Sequence, residues 1–164
     1  MKVSDDSSYH SNEEKFVNIF NRLEQSSHEW YMFIDDDTWV NTKLLSERIN
    51  LLNRSVVHGQ KINCWPGDYS LYYLSGGAGI LIHRDLYSAY RGRLNNYRSG
   101  YSDVSLGLFM RDQKIPCVNE DGFFSQPPSF YLKGGSEQEI VENSISFHYI
   151  KTEEEHRRLT ELTI

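Results

Sequence analysis

The sequence predicts an α/β domain. Three observations carry that reading. Apolar residues at helical spacing alternate along the chain with short apolar runs of strand length. Clusters of Gly, Pro, Asn and Asp punctuate the boundaries between them. No internal repeat or low-complexity tract points to a solenoid or a fibrous chain. At 164 residues the chain fits one domain, and 8 Phe, 11 Tyr and 3 Trp within an apolar fraction of 38% supply a core.

Residues 1–12 are polar, rich in Ser and Asp, and read as a disordered N-terminus ahead of a domain spanning 13–164. From Glu13 to Gln25, Phe16, Ile19, Phe20 and Leu23 fall at i, i+3, i+4, i+7, with Asn12 as the cap. Trp30 to Ile34 is a bulky strand-length run that stops abruptly at Asp35-Asp36-Asp37. Lys43 to Leu52 reads as a second helix with Leu44, Leu45, Ile49 and Leu52 on one face, and Val56 to Gln60 as a short strand. Cys64 to Asp68 reads as a turn, Leu71 to Leu74 as extended, Ile80 to Ile82 as a strand and Arg84 to Tyr90 as a helix.

Leu94 to Ser102 is a polar loop, followed by a helix over Asp103 to Asp112 with Val104, Leu106, Leu108 and Phe109 supplying the apolar positions. Ile115 to Val118 is a strand, and Gln126 to Gly135 a loop. Ile145 to Ile150 alternates with period two for most of its length, as a half-buried strand does. Thr152 and Glu155 have the spacing of a capping box opening a charged final helix.

A formal charge of −6 excludes a general nucleic-acid binder, which would carry a basic stripe. Neither Cys64 nor Cys117 has a Cys or His at zinc-ligand spacing, and two cysteines permit at most one internal disulfide. One N-glycosylation triplet occurs, Asn53-Arg54-Ser55. No stretch has the length of a membrane span, and Met1 to Asn12 lack the apolar core of a signal peptide.

The acidic triplet is where the pattern needs a chemical reason. Three adjacent carboxylates at the end of an apolar strand repel one another. A hard divalent cation such as Mg²⁺ or Mn²⁺ relieves this, taking oxygen ligands and bridging carboxylate to substrate phosphate. A solvated acidic turn with Asp37 or Thr38 capping the next helix is the plain alternative. Three further stretches stand beside it. Gly76-Gly77-Ala78-Gly79 lets backbone approach a ligand closely, or simply makes a tight turn. Asp103, in Ser102-Asp103-Val104-Ser105-Leu106-Gly107, sits at a helix start, where orphan amides favour a carboxylate. His148, in Ile145-Ser146-Phe147-His148, has an aromatic on either side, and a lone His there is most often structural.

In succession these four stretches resemble the fringe-like β-1,3-glycosyltransferases, a family of inverting, metal-dependent enzymes that use nucleotide-sugar donors. Within that family the chain looks most like the branch containing the β-1,3-glucosyltransferase that extends O-linked fucose. The resemblance runs from about Phe16 to Ile150. It implies a partial GT-A-like mixed sheet with flanking helices, and transfer of a hexose or N-acetylhexosamine from a UDP-sugar to a glycan hydroxyl. It further implies Asp37 and His148 as protein ligands of Mn²⁺ (or Mg²⁺), Asp35 and Asp36 as contacts to the donor or supports of Asp37, and the Gly76 and Gly77 backbone against the transferred sugar. Asp103 would be the general base. The partners would be the nucleotide-sugar donor and a glycan or glycoprotein acceptor. The setting would be the Golgi or endoplasmic reticulum lumen, where relatives are membrane-anchored, although this chain shows no span or targeting signal of its own.

The residue types suit that chemistry. Inverting transfer is an in-line displacement in which a carboxylate takes the acceptor hydroxyl's proton and a cation stabilises the departing diphosphate. A hydrolase would instead need a carboxyl pair flanking the bond. Three departures from the family pattern are also legible. Only about thirty residues precede the triplet, too few for the family's front β-α units, so the domain reads as N-terminally truncated. Ser102 stands where many members have an acid, and Phe124 where relatives usually have His. The first two make a catalytically silent glycan-binding or scaffold relative the alternative. A structure placing His148 far from Asp37 would point instead to an unrelated α/β domain whose acidic turn binds Mg²⁺ for phosphate chemistry.

Overall fold

The computed structural model describes residues 11–22, 27–65, 68–90, 92–94 and 97–164. They form a mixed α/β architecture. Its centre is a four-stranded sheet in the order β1 (Trp30–Phe33), β6 (Ile80–His83), β3 (Val57–Gly59), β7 (Cys117–Asn119). The first two pairings are antiparallel and the last is parallel, so the sheet is mixed as expected. Alternation sends side chains of one strand to opposite faces. Tyr31 and Phe33, with Ile80 and Ile82, enter a cluster with Val17 and Phe20 of α1 (Asn12–Arg22) and Leu106, Phe109 and Met110 of α4 (Ser102–Gln113). Trp30, Met32 and Leu81 enter another, with Leu44 and Leu45 of α2 (Thr42–Arg48) and Ile49 and Leu52 just beyond it. A sheet covered on both faces explains why Trp30 to Phe33 reads as one unbroken apolar run.

Burying a side chain such as Phe20 or Phe109 contributes roughly 1.5–3 kcal/mol by transfer from water, which is why these helices dock. The rings interlock: Phe20 sits 4.9 Å from Tyr87 edge-on and 5.8 Å from Phe33. Tyr87, on α3 (Arg84–Tyr90), donates its hydroxyl proton to the Phe20 carbonyl.

A second, smaller sheet runs β2 (Trp39–Val40), β9 (Ser146–Phe147), β8 (Phe123–Phe124). Each strand has two residues, and its stability comes from ring stacking more than from its few ladder bonds. Phe147 lies opposite both Trp39 and Phe124, at 6.0 and 5.2 Å between ring centres, and Tyr131 packs 4.4 Å from Phe124. Phe124 is thus part of this aromatic ladder. Val141 of α5 (Glu137–Glu142) and Leu159 of α6 (Glu153–Glu161) close the cluster beneath. The Thr152–Glu155 capping box opens α6 as the sequence indicates. A separate antiparallel ribbon pairs β4 (Lys61–Trp65) with β5 (Asp68–Leu74), and β5 packs on α4.

Several expectations are corrected. Val17, not Ile19, fills the inner face of α1; Ile19 is 38% exposed, and Leu23 lies outside the described residues. Asn12 is the first residue of α1 and not its cap. Ile34 lies beyond β1 and is 48% exposed. Neither Asp37 nor Thr38 caps α2: strand β2 intervenes, and Asn41 accepts from the Leu44 amide instead. The late strand holds only Ser146 and Phe147, so His148 lies just past its end. Cys117 is a free thiol. Residues 1–10 are outside the described residues.

Candidate active site

The chain turns sharply after β1 because the Thr38 amide donates to the Asp35 carbonyl at 3.3 Å. That turn points the carboxylates outward while Thr38 itself is buried. Its hydroxyl donates to the Gly77 carbonyl at 2.9 Å, fastening the acidic turn to the glycine turn. The glycine turn closes through the Gly79 amide to the Gly76 carbonyl at 3.0 Å. It is anchored again where Ser146 donates to the Ala78 carbonyl. The tail of β9 comes over both: the His148 amide donates to Phe124 O at 3.1 Å and the Ile150 amide to Asp37 O at 2.9 Å.

These ties bring His148 to the triplet. Its Nε2 lies 3.0 Å from Asp37 Oδ1 and 3.6 Å from Asp35 Oδ2. One ligand atom from each of Asp35, Asp37 and His148 lies within 4.8 Å of the others. Gly77 makes the approach possible: a Cβ there would lie 2.2–2.4 Å from the imidazole, so only glycine admits the ring. Gly76 instead touches Asp103. Its amide donates to Asp103 Oδ2 at 3.2 Å, while the Val104 amide donates to Oδ1 at 2.9 Å. Asp103 therefore sits inside the first turn of α4, which Tyr101 precedes as the capping position; Asp103 is not itself the cap.

The electrostatics join the four side chains. Burial raises the Asp35 carboxyl above its ordinary value, and the nearby charges of Asp37, Asp103 and Asp36 push the same way against the pull of His148. Asp103 is also raised, mainly by burial, while its amide partners and the charge of His148 pull it back. Asp103 is thus within electrostatic reach of both Asp35 and His148. Asp36, the middle member of the triplet, is exposed and reaches the cluster only through its charge on Asp35.

A divalent cation fits this donor set. Two ligand atoms at right angles on an ion with bonds of about 2.1 Å stand about 3.0 Å apart, which is the separation of Nε2 from Asp37 Oδ1. Two carboxylates and an imidazole suit Mn²⁺ or Mg²⁺ better than a soft metal. Asp35, assigned from the sequence to the donor, lies by distance with Asp37 and His148 in the group that could hold the ion.

No family model matches the chain, and no curated protein matches it. Among solved structures, the crystal structure of a glycosyltransferase involved in the glycosylation of the major capsid of PBCV-1 is similar, at a TM-score of 0.54 and 15% identity. The likeness covers 98% of this chain and 80% of that one. The fold resembles that of this glycosyltransferase. At this identity the likeness extends to the glycosyltransferase architecture, GT-A-like in its mixed sheet and flanking helices, and no further. Among the described residues no helix is long and apolar enough to cross a membrane.

Two residues of the site went unrecognised in the sequence. Thr38 has a readable signal, because a small hydroxyl residue three positions after Asp35 can close a turn and hydrogen-bond outward. Tyr149, stacked on His148, has none in periodicity or composition.

Proposed function

We propose that the chain is a metal-dependent inverting glycosyltransferase of the fringe-like β-1,3 type, moving a hexose or N-acetylhexosamine from a UDP-sugar to a glycan or glycoprotein hydroxyl. The observation that carries the reading is the meeting of Asp35, Asp37 and His148 from opposite ends of the chain, with Asp103 in electrostatic reach, on a glycosyltransferase fold. The separation of His148 from Asp37, 3.0 Å, supports this reading over an unrelated phosphate-binding domain.

Asp37 and His148, with Asp35, would hold Mn²⁺ or Mg²⁺, which when bound supplies Lewis-acid stabilisation of the leaving diphosphate. Asp103 is the base. Each of its oxygens already accepts one backbone amide, which fixes the carboxylate's plane and leaves a lone pair on each for an acceptor hydroxyl. Its raised affinity for a proton, caused by burial, brings it closer to the working range of a base. Gly76 and Gly77 offer a wall without side chains, against which a sugar ring can lie. Asp36, exposed beside the ligands, is available to the donor's hydroxyls. A lumenal setting, Golgi or endoplasmic reticulum, goes with this reading.

The test is calorimetry with Mn²⁺ and UDP, then mass spectrometry of glycan acceptors incubated with a panel of UDP-sugars. Mn²⁺-dependent UDP binding and a mass gain of one sugar are expected. Asp103→Asn should keep UDP binding and lower turnover by on the order of 10²–10⁴-fold. Absence of Mn²⁺-dependent UDP binding overturns the reading. Glycan binding without donor binding identifies the catalytically silent relative instead.

A further inference from the structure

Two described non-glycine residues have left-handed backbone, Lys114 at φ 56° and Tyr149 at φ 61°. Lys114 is the residue that ends α4, an ordinary place for that conformation. Tyr149 ends no helix. An aromatic residue there is strained, and such strain persists only where the surroundings over-determine it.

The surroundings are on the page. On one side of Tyr149 the His148 amide is fixed to Phe124 O, and on the other the Ile150 amide is fixed to Asp37 O, with Ile150 buried. The left-handed turn between them folds the Tyr149 ring back onto the His148 imidazole, 3.9 Å between centres and 23° from parallel. Core burial does not account for this, since Tyr149 remains 45% exposed. The Lys151 ammonium lies 5.5 Å from the centre of the ring, within cation–π range, and gives it a second partner. Gly77 backbone abuts the same imidazole.

We infer that Tyr149 is a positioning residue of the cation site: its strained backbone holds the ring against His148 and keeps Nε2 aimed at Asp37 and Asp35. The inference rests on reading those three side chains as a cation site. An imidazole free to rotate would spend part of its time turned away from the carboxylates. A ring stacked on its face removes that freedom before any ligand arrives.

The test separates ring from backbone. Mn²⁺ affinity is measured by calorimetry on the full chain and on Tyr149→Phe, Tyr149→Ala and Tyr149→Gly, alongside thermal melts without metal. Phe should bind within about twofold of the parent, while Ala and Gly should both lose roughly tenfold or more, as loss of a ligand's supporting partner does. The melts should rank differently. Gly accepts φ 61° without strain and should melt above Ala, although both have lost the ring. A parent that binds Mn²⁺, with Ala and Gly variants that bind it equally well, overturns the inference and leaves the site standing. Gly melting below Ala overturns the strain. A parent that does not bind Mn²⁺ removes the site, and the inference with it.

Discussion

Two histidine–carboxylate pairs stand in this molecule at nearly the same distance, and their surroundings are opposite in kind. His58 Nδ1 lies 2.8 Å from Glu120 Oε2, and its Nε2 lies 2.8 Å from the Asn53 carbonyl. Both ring nitrogens meet one acceptor each, the ring is 2% exposed, and a single carboxylate faces a single imidazole. This closed pair ties the loop after α2 to the end of β7. His148 lies at 3.0 Å from Asp37, but with Asp35 at 3.6 Å and with the charges of Asp36 and Asp103 felt in the same cluster. Here the carboxylates outnumber the imidazole and the side chains reach solvent. A separation near 3 Å is therefore no signature of function by itself. What marks a ligand site is uncompensated charge left open on one side.

The sharpest way to break that contrast is to remove each histidine. His148→Ala, and likewise Asp37→Ala, should lower Mn²⁺ affinity by more than the roughly 10–100-fold that loss of a supporting partner costs, with stability nearly unchanged. His58→Ala should do the reverse. It leaves Glu120 and the Asn53 carbonyl without their partner and should cost about 2–4 kcal/mol in a denaturant melt, with Mn²⁺ affinity untouched. If His58→Ala weakened the metal, or His148→Ala unfolded the chain, the two pairs would not be different in kind. A smaller effect comes from the wall behind His148. In Gly77→Ala the new methyl group would lie 2.2–2.4 Å from the imidazole, so the ring must move. Calorimetry should show Mn²⁺ affinity down about tenfold with the protein still folded.

How legible each region was in the sequence follows the same contrast. The central sheet and its helices announce themselves because each element buries enough apolar surface to show either a strand-length apolar run, as in Trp30–Phe33 and Ile80–His83, or apolar residues at helical spacing, as in Asn12–Arg22. The small sheet does not. A two-residue strand such as Trp39–Val40 or Phe123–Phe124 is too short to show alternation, and it exists because Phe147 gives its rings something to stack on. The five-residue strand Lys61–Trp65 was missed for another reason: its antiparallel partner Asp68–Leu74 defines it, not its own pattern. At the site, the residue types of Asp35, Asp37, Asp103 and His148 and their order were readable, and the structure brings them to one place. The division of labour was less so. That Asp35 stands beside Asp37 and His148 depends on a turn closed by Thr38, and the placement of the Tyr149 ring on a backbone angle that no local pattern encodes.

The smallest expected effect tests whether Asp103 belongs to the open cluster or is simply part of the helix start. A carboxylate that only caps a helix is stabilised when ionised, so its affinity for a proton falls on folding and stability rises with pH. Asp103 goes the other way: burial outweighs its amide contacts, and its proton is held more tightly in the folded chain than in the unfolded one. Between the ordinary value of 3.8 and its raised value, the folded state binds more protons. The stability contribution of Asp103 should therefore fall as pH rises through that window and stay low at neutral pH. Asp103→Asn provides the comparison. The amide loses one acceptor, which shifts the whole stability curve by a constant, and it removes the charge that raises Asp35, so the slope it erases is that of Asp103 together with its coupling to Asp35. The stability of the parent minus that of the variant, measured by denaturant melts across acid to neutral pH, should decline through the window. A difference that instead rises with pH would make Asp103 an ordinary first-turn carboxylate and take the base out of the proposed chemistry.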